Sequence, residues 1–517
     1  MNGPNPNRWW TLGCVAIATF MLLLDITIVN VALPAIKTDL DANFSDLQWV
    51  VDAYALMLAS VLLVSGSVAD IIGRKRVFVT GLILFSAASL ACGLATTPTM
   101  LTLARALQGV GGAMLFATSL ALLANAFSGK DRATAFGVWG ATIGGAVAIG
   151  PLVGGALTDS LGWEWIFFVN IPIGIAAAFV TVAKVDESKD PNPAGVDWLG
   201  AVLFSASLFM LVLALIRGND EGWSSALIVA LLVGSALAMI AFVVVERRTD
   251  HPMLDLTLFR KPAFVGASVV AFALSAAMFS MFLFIVLYIQ NVLEYTPLET
   301  GVRFLPLSLT SFFVAPVAGK LAARLPARVL LGGGLVVTGI GLLLMNGISD
   351  SSDWTTLLAG FIVAGAGVGI VNPNLAQAAI GVVDPRQSGM ASGINTTFRQ
   401  VGIATGIAAL GAIFQSRVQD KVVAALAGTP VASHATDIAH GVAAGGGRDA
   451  LGSVPAQSRE LVAHAAKHAF ISGLNELFLI GAVVAFAGAL LAFLLVRQSD
   501  FVGHARQSAE APAEAVA

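Results

Sequence analysis

Apolar runs of about 20 residues dominate the chain, and each is long enough for a helix to cross the ~30 Å hydrocarbon core of a bilayer. A window of that length finds about fourteen of them. They lie at 10–34, 47–68, 77–95, 99–126, 133–157, 165–183, 198–217, 225–245, 263–290, 300–320, 328–347, 354–378, 390–414 and 469–496. Only 11% of the residues are charged against 57% hydrophobic, with a mean hydropathy of +0.86, which excludes a water-soluble domain. The expected fold class is an all-α polytopic membrane protein. The 53 glycines, mostly inside apolar runs, suit helices packed closely through small residues. A net charge of -3 argues against a nucleic-acid partner. Cys14 and Cys92 fall in predicted spans and read as small apolar fillers rather than a disulfide. No cleavable leader precedes the first span, which is expected to stay and to act as its own insertion signal.

Lysine and arginine mark one side of the membrane. Arg74, Lys75, Arg76, Lys130, Arg132, Arg247, Arg248, Arg260 and Lys261 fall in alternate loops. Lys320, Arg324, Arg328 and Arg386 fall on the same side, while the opposite short loops hold little beyond Lys37 and Arg217. The positive-inside rule places both termini in the cytoplasm of a multi-pass plasma-membrane protein. The connection 415–468 is then expected outside, with Arg459 to Lys467 as an amphipathic helix. His464 and His468 on that helix are four residues apart, as metal ligands can be. With no third ligand in view, a solvated helix face is expected and no metal.

Gly66 to Arg76, between spans two and three, has a degraded copy without the acid at Gly319 to Leu325, between spans ten and eleven. Spans five and thirteen are both studded with glycine. This weak repeat predicts a six-helix half at 1–184, two inserted helices at 185–250, a second six-helix half at 251–497 and a tail at 498–517.

Charges inside spans are the candidate chemistry. Asp25 is a lone carboxylate in Leu24-Asp25-Ile26-Thr27-Ile28-Val29-Asn30-Val31-Ala32-Leu33-Pro34. A charge near the bilayer centre costs at least ~2.5–3.5 kcal/mol, so Asp25 is either functional or turned to a polar cavity for packing. At ~1.5 Å per residue, Arg105 in span four lies ~9 Å deep and Asp25 ~13 Å deep, so the two can pair directly or through water. Such a pair either fastens two helices permanently or keeps the acid deprotonated until something competes. Glu476 in span fourteen, ~10 Å from the outer edge, is a second coupling candidate or a rim acid partnered by Arg303 or Arg399. Asp52 and Glu164 are expected to add negative charge at the outer mouth. Asn30, Gln108, Met278, Phe279, Phe282, Phe284, Asn395 and Arg399 are candidates for a substrate cavity. Asp70, Gly73 and Arg74 share a tight turn where an acid can cap a helix or pair with an arginine and let go. Plain topology explains part of that basic run. In span five, Gly150, Gly154 and Gly155 permit close backbones and Pro151 a kink.

Four motifs now stand in order on the expected spans: Asp25 to Pro34, Gly66 to Arg76, Arg105-Ala106-Leu107-Gln108-Gly109-Val110-Gly111-Gly112, and Gly150 to Gly155 followed by Trp163 to Pro172. With them the chain resembles the fourteen-helix drug:proton antiporter branch of the major facilitator superfamily, from span one to span fourteen. The resemblance implies the major facilitator fold, with a substrate site between the halves near the midplane. It also implies a conformational latch at Asp70, Gly73 and Arg74. An antiporter motif at Gly150, Pro151, Gly154 and Gly155 selects export over uptake. Glu164 stands where that family usually has an arginine, and Asp52 where it has a neutral residue.

The expected function is therefore proton-coupled export of amphipathic drugs or secondary metabolites by alternating access, and with it antibiotic resistance. Asp25 would carry the proton with Arg105 as its partner. No cofactor is expected beyond a proton gradient; the partners would be small amphipathic substrates and the bilayer, and the chain a monomer. Proton-coupled uptake or lipid translocation on the same fold, or a receptor that does not transport, are the alternatives. An enzyme is not expected. All six His fall in loops or the tail, no Ser-His-Asp or Cys-His set assembles, and no Walker-type loop is present.

Overall fold

The computed structural model describes residues 7–127, 129–189, 195–250, 252, 254–322, 324–383, 388–443, 455–497 and 500–501. Fourteen long helices carry the expected spans. They are α1 (Arg8–Asp39), α2 (Phe44–Ile72), α3 (Arg74–Gly93), α4 (Pro98–Ala126), α5 (Gly129–Ser160), α6 (Trp165–Lys184) and α7 (Trp198–Glu221). Then follow α8 (Ala226–Glu246), α9 (Pro262–Val292), α10 (Pro297–Leu321), α11 (Ala327–Met345), α12 (Trp354–Ala379), α13 (Ser388–Leu426) and α14 (Arg459–Leu495). Among the described residues thirteen helices are long and apolar enough to cross a membrane. The 32-residue α5, over the expected span 133–157, stands at the remaining place. Of the expected tail only 500–501 is described, and Arg386 lies outside the described residues.

Polar caps start the helices where the apolar runs begin. Asn43 accepts from the Asp46 amide while Asp46 accepts from the Asn43 amide, a reciprocal box that opens α2. Thr296 and Glu299 do the same for α10, and Thr97 caps α4 with Pro98 as its first residue. Gly73, at φ 122°, turns the chain between α2 and α3 in a conformation that side-chain-bearing residues avoid. Two π-turns, Ser275–Phe279 and Tyr288–Val292, interrupt α9.

The repeat that sequence hinted at is plain in the packing. In the first half α2 and α3 pack on α4, α1 on α5, and α1 and α3 on α6. In the second half α10 and α11 pack on α12, α9 on α13, and α9 and α11 on α14, the same pattern displaced by eight helices. The halves meet along two equivalent seams, α2 with α13 and α5 with α10. The inserted α7 lies over the first seam, touching both α2 and α13. Its Asn219 Nδ2 donates to the Ala412 carbonyl at 2.5 Å. In turn α8 packs on α7, where Ser207 and Ser235 each donate to the other's carbonyl at 2.8 Å.

The glycines of α5 explain the second seam. A methyl group on Gly154 would come 2.9 Å from the Ile28 Cα of α1, and one on Gly150 would collide with Thr27. Gly155 lies against the Pro297 carbonyl of α10, and Gly301 of α10 against the Pro151 carbonyl. Backbone contact this close needs the missing side chains.

The connection at 415–468 differs from expectation. The 39 residues of α13 run ~58 Å, so it continues well past the expected end of its span. Arg459 to Lys467 is not a separate amphipathic helix but the first turns of α14. His464 and His468 are exposed and sit 3.8 and 3.2 Å from Asp350, and the described residues hold no group of three that could ligate a metal.

Close packing at α5 makes a paired test. Gly154→Ala should lower the thermal unfolding midpoint of the detergent-solubilised protein, a cost of ~1–3 kcal/mol from overpacking. Gly145→Ala, whose added methyl meets nothing within 4 Å, should stay within about 0.5 kcal/mol of the parent.

Candidate functional site

Asp25 lies in the interior of the first half, fully buried, and the structure brings it to Arg105, which is 1% exposed. Arg105 Nη1 donates to Asp25 Oδ2 at 2.5 Å and to Gln108 Oε1 at 2.6 Å, while its Nε donates to the Val50 carbonyl of α2 at 3.1 Å. The other carboxylate oxygen accepts from Gln108 Nε2 at 2.8 Å and Asn170 Nδ2 at 3.2 Å. Ser89 of α3 completes the cluster, accepting from Asn170 at 3.0 Å and donating to the Phe167 carbonyl at 3.0 Å. The guanidinium carbon stands 4.3 Å from the centre of the Tyr54 ring. Charge-assisted bonds of this kind are stronger than neutral ones; four helices, α1, α2, α4 and α6, supply them, and Ser89 of α3 joins through neutral bonds.

Sequence reasoning allowed a direct pair between Asp25 and Arg105 but assigned no part to Ser89 or Asn170. The available signal was Asn170-Ile171-Pro172, a polar residue before a helix-bending proline in an apolar run. Gln108, expected in a substrate cavity, belongs to this cluster instead and is fully buried.

A small cavity of ≈ 30 Å³ lies between the halves, lined by Ile26 and Thr27 of α1, Phe116 of α4, Phe279 of α9, and Arg399 and Gln400 of α13. That is room for one or two waters, so the cavity is contracted. Asp25 is not among its lining residues, although its neighbour Ile26 is. Of the other cavity candidates Arg399 and Phe279 reach it. Asn30 Nδ2 donates to the Ile26 carbonyl of its own helix, and Asn395 Nδ2 to the Ala267 carbonyl of α9. Met278 and Phe282 are buried in the second half, where Phe282 packs on Phe304 at a ring separation of 5.4 Å. On the π-turn it is Phe279 that turns to the cavity.

The remaining acids also move from their expected places. Glu476 is half-exposed, and its partner is neither Arg303 nor Arg399 but Arg417, whose Nε donates at 2.9 Å. Asp52 is deeply buried, fully enclosed rather than at a mouth. It sits one turn from Gln48, whose Nε2 donates to the Ile407 carbonyl across the first seam at 3.1 Å. Neither Asp52 oxygen has a hydrogen-bond partner among the described residues.

At the α2–α3 turn Asp70 pairs with Arg74 of the same turn at 2.8 Å. The turn is docked on the strand of chain leading out of α6. Glu187 accepts from the Lys75 amide at 2.9 Å, Lys75 Nζ donates to the Val182 carbonyl at 2.9 Å, and the Arg74 amide donates to the Ser188 carbonyl at 2.9 Å. A side chain at Gly73 would strike the Glu187 carboxylate.

The Asp25 cluster predicts strong coupling between its two charges. Arg105→Met should destabilise the protein by ~3–5 kcal/mol, because it leaves a buried charge without its partner. Adding Asp25→Asn should recover much of that loss, read as a rise in the thermal unfolding midpoint of the double variant over Arg105→Met alone.

The profile of the Major Facilitator Superfamily matches residues 15–407. The multidrug resistance protein Stp of Mycobacterium tuberculosis is 37% identical over 410 residues, 79% of this chain and 76% of that protein. The tetracenomycin C resistance and export protein of Streptomyces glaucescens is 30% identical over 503 residues, 96% of this chain and 93% of that protein. The puromycin resistance protein pur8 of Streptomyces alboniger is 36% identical, covering 80% and 82%. Among solved structures, a bacterial homolog of the human lysosomal transporter Spinster, inward-facing and occupied, superposes with a TM-score of 0.65. It shares 16% identity over 96% of this chain and 99% of that one, a likeness of fold. The chain is a multi-pass membrane protein and belongs to the Major Facilitator Superfamily.

Proposed function

We propose that the protein is a proton-coupled exporter of amphipathic drugs or secondary metabolites. It works by alternating access as a monomer in the cell membrane, with no cofactor and with the proton gradient as its energy source. The observation that carries this reading is the position of α1 between two sites. Asp25 is sealed on one side of it, and Ile26 and Thr27 line the cavity on the other. Relatives named for multidrug resistance, puromycin resistance, and tetracenomycin C resistance and export support the direction and the kind of cargo. The basic loops support a cytoplasmic position for both termini and for the α2–α3 turn.

In this reading Arg105, Gln108 and Asn170 hold the carboxylate ionised. A proton on Asp25 removes the charge that Arg105 attracts and loosens α1 from α4 and α6. Because α1 also walls the cavity, the shift changes the space open to a substrate. Substrate and proton then favour different conformers, and each drives the other's exchange. Separation of the halves along the α2–α13 and α5–α10 seams would widen the contracted cavity to drug size. Asp70, Gly73 and Arg74 would act as a latch by holding the chain that leaves α6. Phe116 and Phe279 would bind cargo mainly through buried area.

The test uses purified protein in proteoliposomes with an imposed pH gradient and amphipathic dyes of positive, neutral and negative charge. Gradient-driven accumulation that a protonophore abolishes is expected for the wild type. Asp25→Asn should lose it while keeping substrate counterflow. Uphill transport by Asp25→Asn with wild-type pH dependence would overturn the reading. Proton-driven movement in the uptake direction, movement of labelled lipid without dye, or binding without counterflow would replace it with a symporter, a lipid translocator or a receptor.

A further inference from the structure

Among the described residues Arg399 is the one charged group lining the central cavity, and its surroundings are unlike those of Arg105. It stands half-buried on α13 with its guanidinium carbon 5.8 Å from the Phe279 ring centre. Among the described residues it makes no hydrogen bond and no salt bridge. A guanidinium keeps its charge in proteins and carries five N–H donors in a rigid fork that fits a carboxylate. Three of the acids expected as intramembrane or mouth charges are engaged or enclosed elsewhere. Asp25 is held by Arg105, Gln108 and Asn170, Glu476 pairs with Arg417, and Asp52 is enclosed beside the first seam. Beside Arg399, Gln400 is 5% exposed, lines the same cavity, and has an Oε1 with no hydrogen-bond partner among the described residues. An unsatisfied buried polar group is costly, and here Gln400 Oε1 stands beside a guanidinium that has no hydrogen-bond partner among the described residues.

We infer that Arg399 and Gln400 form an anion-binding subsite in the central cavity, and that the preferred cargo is an ionised aromatic acid rather than an organic cation. The carboxylate or acidic phenolate lies in the fork of Arg399, and a hydroxyl or N–H of the same molecule satisfies Gln400 Oε1. Once the halves separate and the contracted cavity widens, the ring system lies between Phe116 and Phe279. The subsite rests on the transporter reading for its physiological meaning, though not for its binding chemistry. With that reading, an anion leaving as one proton enters carries two charges along an inside-negative membrane potential, so the potential as well as the pH gradient drives export.

The experiment measures binding of pyrenecarboxylate, pyrenecarboxamide and pyrenemethylammonium to the purified full-length protein at neutral pH, by fluorescence anisotropy. The three probes share one ring system and differ in charge. The wild type should bind the carboxylate about ten- to a hundred-fold more tightly than the amide, the range of a hydrogen bond to a charged group. It should bind the ammonium most weakly. Arg399→Gln should lose that preference with amide binding unchanged, and Arg399→Lys should keep part of it. Thermal unfolding of each variant separates this from misfolding, since removing a cation with no partner should not lower the midpoint. Equal binding of all three probes by the wild type, or an equal loss for all three in Arg399→Gln, overturns the subsite. Charge-selective binding without any transport in proteoliposomes would instead leave the subsite standing and remove the exporter reading. Transport without charge selectivity would do the reverse.

Discussion

The hydrogen-bonded ion pair between Asp25 and Arg105 is the constraint on which the first half is built. Two unit charges in a low-dielectric interior are tolerable only when their geometry is good and the remaining donors and acceptors are satisfied. Here both carboxylate oxygens are engaged, and the guanidinium also reaches the Val50 carbonyl and Gln108. Because the groups around the two charges come from α1, α2, α4 and α6, and Ser89 of α3 in turn holds Gln108 and Asn170, the requirement ties five helices into one body. A half that moves as a rigid unit, which rocking about a central site requires, follows from this satisfaction of charge.

The same helix that carries Asp25 meets three other demands. Its Ile26 and Thr27 line the cavity, its Thr27 and Ile28 receive the glycines of α5, and its Val31 carbonyl accepts from Gln290 of α9 at 2.8 Å. A displacement of α1 is therefore felt in the cavity, along the α5–α10 seam and in the opposite half. The glycine motif of α5 has a mechanical sense in that setting. Gly150 and Gly154 bring α5 against α1, while Gly155 and Pro151 bring it against α10. Close backbone contact without interlocking side chains holds the seam together and leaves few side chains to disengage when it moves.

Much of this was legible in the sequence because lipid imposes simple rules. Apolar length gave the helices, and intramembrane charge singled out Asp25 and Arg105 at matching depth. Where sequence reading failed, the missing quantity was rotation about a helix axis. Composition offers Met278, Phe279, Phe282 and Phe284 alike as cavity residues, yet of the four only Phe279, on the first π-turn of α9, lines the cavity, and the others lie in the core. Glu476 was read as deep from counting along α14, but α13 extends far enough to bring Arg417 beside it in a half-exposed pair. Asp52 is enclosed for a similar reason. Its face of α2 is covered by a helix more than 350 residues away in sequence, a contact that no local pattern announces.

Arg105 and Arg399 together show how the two halves divide the work of charge. Each is an arginine on a membrane helix, and each would cost several kcal/mol if buried alone. Arg105 has a carboxylate, an amide and a main-chain carbonyl around it, so its charge is a fixed part of the first half. Arg399 has the Phe279 ring and an unsatisfied amide oxygen beside it, and it lines the small cavity between the halves. A fold that could compensate one arginine so fully had the means to compensate the other, since Gln400 and Thr396 already stand next to it on the cavity wall. The contrast follows if the counter-charge for Arg399 comes from outside the chain and departs again, because a resident acid at that place would neutralise the site against the ligand it is there to attract.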